Sequence, residues 1–333
     1  MNVAIIGAGL IGRKRAAALN KHDKLLVIGD IDLKSAKNLA SEYSCLHTDQ
    51  IKDIVNNNQI DAVIISVINK YAAQLAIDML HSGKHVLCEK PLGITSKESK
   101  EVLTTAKNSG KIIKTGFNHR YHGAMMMAKK LLAQNRIGKI LHIRSHYGHG
   151  GRIGMEQEWR CSKELCGGGE LIDQGVHIID LCRWFIGEDV KQVYGRTLTS
   201  FWQSNVEDNA FFHLEFDNNI IAQCHASWTN WKNSFSFEIF GNKGFLKISG
   251  LGGSYGEELL EIGLRPPDGG FPEIEMYQFS DYDKSWVLEW NDFKDAIKTN
   301  KYTAFSGVDG YAVNKVIEAI YNSNRLNKLV PVA

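Results

Sequence analysis

The segment Asn2–Gly12, NVAIIGAGLIG, constrains the fold more than any other. A short apolar run leads straight into Gly7-x-Gly9-x-x-Gly12, and a helical pattern follows. A strand too apolar to face water needs cover on both faces, the condition of a parallel sheet in a doubly wound α/β domain. In that setting Gly7 makes the tight turn, Gly9 lets the backbone approach a pyrophosphate, and Gly12 lets helix and strand pack closely. Leu10, Ile11 and Gly12 then open a helix whose amide donors and positive dipole end attract phosphate. Asp30 closes the next apolar run, 18 residues beyond Gly12. A carboxylate there pairs with the adenosine ribose hydroxyls and repels a 2′-phosphate. NAD is therefore the expected cofactor, with NADP as the alternative that the nearby Lys34 keeps open.

The alternation continues. Apolar runs recur at Leu25–Gly29, Ala62–Ser66, His85–Cys88 and Ile112–Thr115, with helical patterns at Ile11–Leu19, Ser35–Tyr43, Tyr71–His81 and Ser96–Asn108. This predicts a dinucleotide-binding Rossmann domain over residues 1–118. After Arg120 the pattern changes. A helical run to Gln134 precedes a strand at Lys139–Tyr147, and further strands follow from Val190 to about Phe279, with turns at Phe216–Asn219 and Gly241–Gly244. Helical patterns at Ser285–Lys298 and Val308–Asn322 come last. The expectation for residues 119–333 is an α+β domain with a large open, mostly antiparallel sheet and helices on one face.

A chain of 333 residues can bury two cores. Its net charge of +2 provides no concentrated basic face, so no nucleic-acid partner is expected. No apolar run suggests a membrane span. The first residues show no basic segment followed by an apolar stretch and a cleavage site. The six cysteines are scattered without a disulfide spacing. Together these features predict a cytoplasmic protein with reduced thiols.

Two stretches carry candidate chemistry. In a doubly wound sheet the carboxyl ends of the strands line the ligand crevice. Lys90, in Glu89-Lys90-Pro91, is therefore expected to point toward a nicotinamide, with Pro91 fixing the bend, through a cis bond if needed. The second stretch is GGGELIDQGVHIID, Gly167–Asp180. Asp173 and His177 are four apart, and Asp180 lies one turn further on. The stripe can be a solvated helix face, a metal site or acid/base machinery. Cys161 and Cys166 lie near enough in sequence to join His177 around zinc, but the close cysteine pair of zinc sites is missing, so no metal is expected. For Asp180 the expected partner is Arg183.

These motifs, in this order, resemble the Gfo/Idh/MocA family of glucose–fructose oxidoreductase and inositol dehydrogenase. Gly116-Phe117-Asn118-x-Arg120, Trp159-Arg160 and Ile239-x-Gly241-x-x-Gly244 extend the resemblance over nearly the whole chain. It implies NAD(P)-dependent oxidation or reduction of a sugar or cyclitol carbon, with Lys90, Asp173 and His177 at the catalytic positions. The chemistry agrees: histidine titrates near neutrality and takes a hydroxyl proton, lysine stabilises a developing alkoxide, and aspartate orients. Ser66, Asn69, Glu89 and Lys90 are expected on the cofactor side. One departure is visible. Where many members carry a Thr-Pro-Asn-type turn and a histidine, this chain has Ser66-Val67-Ile68-Asn69-Lys70-Tyr71.

Substrate contacts are expected from Asn118, Arg152, Trp159, Arg160 and His177. A tryptophan face suits the C–H side of a sugar ring, and the arginines hint at an anionic sugar. On the strand before them His142, Arg144 and His146 share one face, opposite Ile143 and Tyr147. Two further activities stay open: NAD-dependent glycoside hydrolysis through transient oxidation, and non-catalytic NAD-binding regulation. The broad sheet and the resemblance imply a homodimer or homotetramer.

Overall fold

The computed structural model describes residues 1–280, 282–301 and 306–333. Its contacts divide the chain into two units, Met1–Phe117 with Trp286–Asn314, and Asn118–Ser285 with Lys315–Ala333.

The first unit runs β1 (Asn2–Ile6), α1 (Leu10–Ala17), β2 (Lys24–Gly29), α2 (Leu33–Glu42), β3 (Leu46–Thr48), α3 (Ile51–Val55), β4 (Ala62–Ile65), α4 (Asn69–His81), β5 (His85–Glu89), α5 (Ser96–Ser109) and β6 (Ile113–Gly116). The parallel sheet has the order β3-β2-β1-β4-β5-β6. Strand order therefore reverses beside β1, the switch point where doubly wound sheets bind ligands. The apolar character of β1 has a direct cause. Ala4 and Ile6 pack with Ala72, Ala76 and Met79 of α4 and with Val102 of α5 on one face. Val3 and Ile5 pack on the other with Trp290, Phe293 and Ala296. Helix α5 starts as its sequence dictates: Thr95 accepts from the Glu98 amide, and the Glu98 side chain returns to the Thr95 amide. Strand β3, short and mostly exposed, carries no apolar run that announces it.

The second unit begins with a 3₁₀ turn, Asn118–Tyr121, and continues with α6 (Gly123–Ala133), β7 (Ile140–Gly148), α7 (Lys163–Cys166), α8 (Val176–Ile186), β8 (Gln192–Leu198), β9 (Asn209–Glu215), β10 (Ile221–Ser227), β11 (Ser234–Gly241), β12 (Gly244–Ser249), β13 (Glu258–Leu264) and β14 (Glu273–Phe279). Helices α9 (Ser285–Thr299) and α10 (Gly307–Leu326) and the short β15 (Val330–Pro331) complete the element order. The sheet order is β14-β13-β12-β11-β7-β10-β9-β8-β15. Among the described residues its pairings are antiparallel except β7 with β10. Period-two alternation sorts the faces: Ile143, Tyr147, Phe212, Leu214, Phe237 and Ile239 are buried, while His142, Arg144, Phe211, His213 and Gln223 are exposed. Phe185 of α8 closes over the buried face, its ring 5.2 Å from that of Phe237.

The expected division at residues 118 and 119 needs one correction. The segment Trp286–Asn314 groups with the first unit rather than with the sheet that precedes it, because Trp290 and Phe293 are buried against β1.

Candidate active site

In the first unit the glycine motif is fixed by sterics. Gly7 has φ +103°, and a Cβ there would lie 2.2 Å from the Ser66 carbonyl oxygen. A Cβ on Gly12 would lie 1.9 Å from the Gly7 oxygen, so helix α1 can approach the turn only as glycine. The Gly7 amide donates to the Gly29 carbonyl at 2.8 Å, and the Ser66 hydroxyl donates to the Gly7 carbonyl at 3.0 Å. A Cβ on Gly9 would meet nothing within 4 Å. Helix α1, N-capped by Gly9, receives no side-chain hydrogen bond at that cap. This suits the pyrophosphate of a dinucleotide, which supplies the acceptors that the first amides of a helix need. Asp30 accepts from the Ala8 amide at 2.6 Å and from the Asp32 amide at 2.9 Å, which pins its carboxylate beside the turn. The residues fit NAD.

The missing proline leaves its geometry behind. Ile68 has φ −58° and ψ 137°, the backbone that proline would impose, and α4 begins at Asn69. The Lys90–Pro91 bond is cis. Glu89 is engaged by Arg15, through Nε at 2.6 Å and Nη2 at 2.5 Å, while Arg15 Nη1 lies 2.7 Å from Glu289. The carboxylate of Glu89 thus anchors the end of β5, immediately before Lys90, to α1.

In the second unit the backbone over Leu171–Gly175 is wound as a π-helical turn, and α8 begins only at Val176. Asp173 lies on the wide turn and His177 in the first turn of the regular helix. Such turns cluster at functional sites. Sterics explain the glycines before them: a Cβ on Gly169 would lie 1.9 Å from the Glu207 carbonyl oxygen. The Glu207 carboxylate accepts from the Gly169 amide at 3.0 Å, the Leu171 amide at 3.1 Å and the Tyr321 hydroxyl at 2.8 Å. The triple glycine thus seats the turn on a buried acid within its own unit.

Arg152, Trp159, Arg160 and Asp173 come together. Arg160 Nε lies 3.6 Å from Asp173, and its Nη1 lies 3.5 Å from Glu158, which Arg152 grips through Nε at 2.6 Å and Nη2 at 2.5 Å. The Arg160 guanidinium sits 4.6 Å from the Trp159 ring centroid. Both arginines are therefore charge-paired.

Asp180 corrects its expectation. It forms a buried two-point ion pair with Arg120, whose Nε lies 2.6 Å away, while Arg183 takes Asp189 at 2.5 Å. That pair ties the 3₁₀ turn, which carries His119, to α8, which carries His177. The His119 ring stacks on His177 at 3.7 Å and 16°, and Tyr147 meets His177 edge-on at 6.4 Å. His119 was skipped as the variable position of Asn118-x-Arg120; its signal was an imidazole beside two motif residues. Tyr147 lies on the apolar face of β7, whereas His142 and Arg144 lie on the exposed one. Asn118 is buried, holding His119 Nδ1 at 3.2 Å and the Ser285 hydroxyl at 3.0 Å.

All six cysteines are free thiols. Among the described residues, no group of three or more His, Cys, Asp and Glu could hold a metal ion, and no helix is long and apolar enough to cross a membrane.

Comparison with known proteins agrees with this architecture. Residues 1–117 match the family model described as an oxidoreductase family with an NAD-binding Rossmann fold, and residues 125–247 match the GFO/IDH/MocA C-terminal domain. A levoglucosan dehydrogenase of Pseudarthrobacter phenanthrenivorans is 26% identical over 97% of this chain and 96% of its own length. A 1,5-anhydro-D-fructose reductase of Ensifer adhaerens is 28% identical, with the match spanning 59% of each protein. A solved levoglucosan dehydrogenase in complex with NADH superposes with a TM-score of 0.91 at 24% identity, covering 100% of this chain and 99% of that one. With both units matched by one family's models, the chain belongs to the Gfo/Idh/MocA oxidoreductases, and its first unit is an NAD-binding Rossmann domain.

Proposed function

We propose that this protein transfers hydride between NAD and a secondary alcohol of a carbohydrate, whether sugar, nucleotide sugar or cyclitol. The observation that carries the reading is a buried imidazole, His177, four residues after Asp173 on a π-wound turn, in a chain whose first unit binds NAD. The two curated relatives are named for anhydrosugar substrates, which supports carbohydrate as the class.

Gly7, Gly9, Leu10, Ile11 and Gly12 hold the pyrophosphate, and Asp30 holds the ribose, favouring NAD over NADP. Ser66, Asn69 and Lys90 border the nicotinamide half, with Glu89 acting by placing Lys90. Bound NAD supplies a hydride acceptor at nicotinamide C4. In oxidation, His177 takes the hydroxyl proton while the carbon gives up hydrogen with its bonding pair, and a ketone remains. The Lys90 ammonium stabilises the developing alkoxide. Asp173 orients substrate or fixes the His177 tautomer. Asn118, Trp159, Arg152 and Arg160 belong to the substrate side. Because Glu158 and Asp173 already pair both arginines, an uncharged sugar or cyclitol fits better than an anionic one. Free thiols fit a cytoplasmic location.

The test is NADH absorbance across sugars, cyclitols and nucleotide sugars. A dehydrogenase accumulates NADH, and Lys90→Ala and His177→Ala each lower kcat by about 10²- to 10⁴-fold. Glycoside cleavage with no NADH build-up would mark hydrolysis by transient oxidation instead. NAD binding without turnover on the whole panel would mark a regulator. Normal turnover in His177→Ala alongside a dead Lys90→Ala would move the base to Lys90.

A further inference from the structure

We propose that Asn314 and, through Arg15, Glu289 are positioning residues for Lys90, holding the loop that carries it from opposite ends. The inference rests on Lys90 being the group that stabilises the alkoxide. Every residue involved belongs to the first unit, which includes Trp286–Asn314.

The loop joins β5 to α5, and Lys90 is its first residue. Ahead of Lys90, Glu89 is gripped by Arg15, whose Nη1 reaches on to Glu289 of α9 at 2.7 Å. Arg15 and Glu289 are both buried, and the guanidinium lies over the Trp286 ring, 4.5 Å from its centroid. Two carboxylates and an aromatic face thus hold it. Gly116 makes room for this arrangement: a Cβ there would lie 2.7 Å from Arg15 Nη2 and 3.0 Å from Glu89 Oε2.

Beyond Lys90, the loop carbonyls turn to α10. Asn314 Nδ2 donates to the Gly93 carbonyl at 2.9 Å and to the Ser99 hydroxyl at 2.7 Å. That hydroxyl donates onward to the Thr95 carbonyl at 2.9 Å. Carbonyls only accept, so the Asn314 amide has one orientation here. The loop amides turn the other way, with Ile94 donating to Glu98 at 2.7 Å and Thr95 at 3.3 Å. Gly310 lies four residues before Asn314, on the same face of α10. A Cβ on it would lie 2.9 Å from Leu92 Cβ and 2.4 Å from Thr115 Oγ1, so the helix rests directly on the residue two past Lys90.

Two fixed ends matter for a lysine. Its stem is flexible, so much of the precision of the amine must come from the backbone that carries it. A misplacement of about 1 Å at a reacting centre costs about a hundredfold in rate. The glycine turn has its own supports, because its bonds run to Gly29, Ser66 and Asp30. Cofactor binding and Lys90 alignment are therefore separable.

Asn314→Leu keeps the size of the side chain and removes the donor. In the full-length protein it should lower kcat about ten- to a hundredfold while the dissociation constant for NAD, read by protein fluorescence, stays within about threefold. The Lys90 Cε–Hε NMR signal, assigned by its absence in Lys90→Ala, should also move, and it is read without substrate. If Asn314→Leu does not fold, Glu289→Gln keeps the shape, removes the charge facing Arg15 and carries the same expectation. Where Lys90→Ala is inactive, a folded variant with either kcat or the Lys90 signal unchanged would overturn the proposal. So would a loss of kcat matched by an equal loss of NAD affinity, the mark of a general structural role. Full turnover in Lys90→Ala would instead overturn the reading of Lys90, and a moved signal in the variants would leave the mount standing.

Discussion

Asp30 shows how much one residue can be asked to do. Its two oxygens already accept from the Ala8 and Asp32 amides, so the carboxylate is held in place for the ribose contact proposed for it. Replacing it with alanine removes both the orientation and the charge that repels a 2′-phosphate. Asp30→Ala should raise KM for NAD about tenfold and narrow the preference for NAD over NADP by a similar factor, read from steady-state kinetics with each cofactor. Unchanged discrimination would place the ribose elsewhere. The role proposed for this residue comes from sequence because the motif is local, with glycines, helix start and acid all falling within one βαβ stretch. Tyr147 and His119 were not legible there. Nothing in the spacing of an apolar strand face tells a buried tyrosine that fills space from one whose hydroxyl hydrogen-bonds an imidazole 28 residues away.

The π-helical turn is the element on which the candidate acid/base residues depend, and Glu207 supports it. Helical spacing alone reads Gly167–Asp180 as a breaker followed by a plain helix; the structure winds Leu171–Gly175 as a π-turn whose leading amides bond Glu207, which no local pattern links to those glycines. Burial pushes the Glu207 carboxyl above its ordinary 4.5, although the Tyr321 hydroxyl and the Gly169 and Leu171 amides pull the other way. The folded protein thus holds that proton more tightly than the unfolded chain. Its stabilising effect is present below 4.5 and is lost as pH rises through the higher folded value. Glu207→Gln retains an acceptor oxygen for the turn and removes the charge. Chemical denaturation against pH should therefore show a shallower fall in stability from about pH 4.5 toward neutrality in the variant. An identical slope in both proteins would show that Glu207 ionises alike in folded and unfolded states.

At the scale of the whole chain, the sheet classes and their order were legible from period and punctuation, but the allegiance of Trp286–Asn314 was not. An amphipathic helix declares that it needs a partner, and only the buried Trp290 and Phe293 show that the partner is β1. The exposed face of the nine-stranded sheet is the surface proposed for self-association. Phe211 stacks on His225 at 4.0 Å and remains largely open to solvent. We expect light scattering to give two or four times the 37.3 kDa chain mass, and Phe211→Glu to lower it; a monomer in the unaltered protein would refute self-association through this face. The central claim, hydride transfer from a carbohydrate carbon to NAD, is tested most directly by isotope. With a C-deuterated carbohydrate found active in the panel and unlabelled NAD, mass spectrometry of the recovered cofactor should show reduced NAD carrying one deuterium, with the label lost in His177→Ala and Lys90→Ala. Turnover of that carbohydrate with no deuterium ever reaching the cofactor would contradict it.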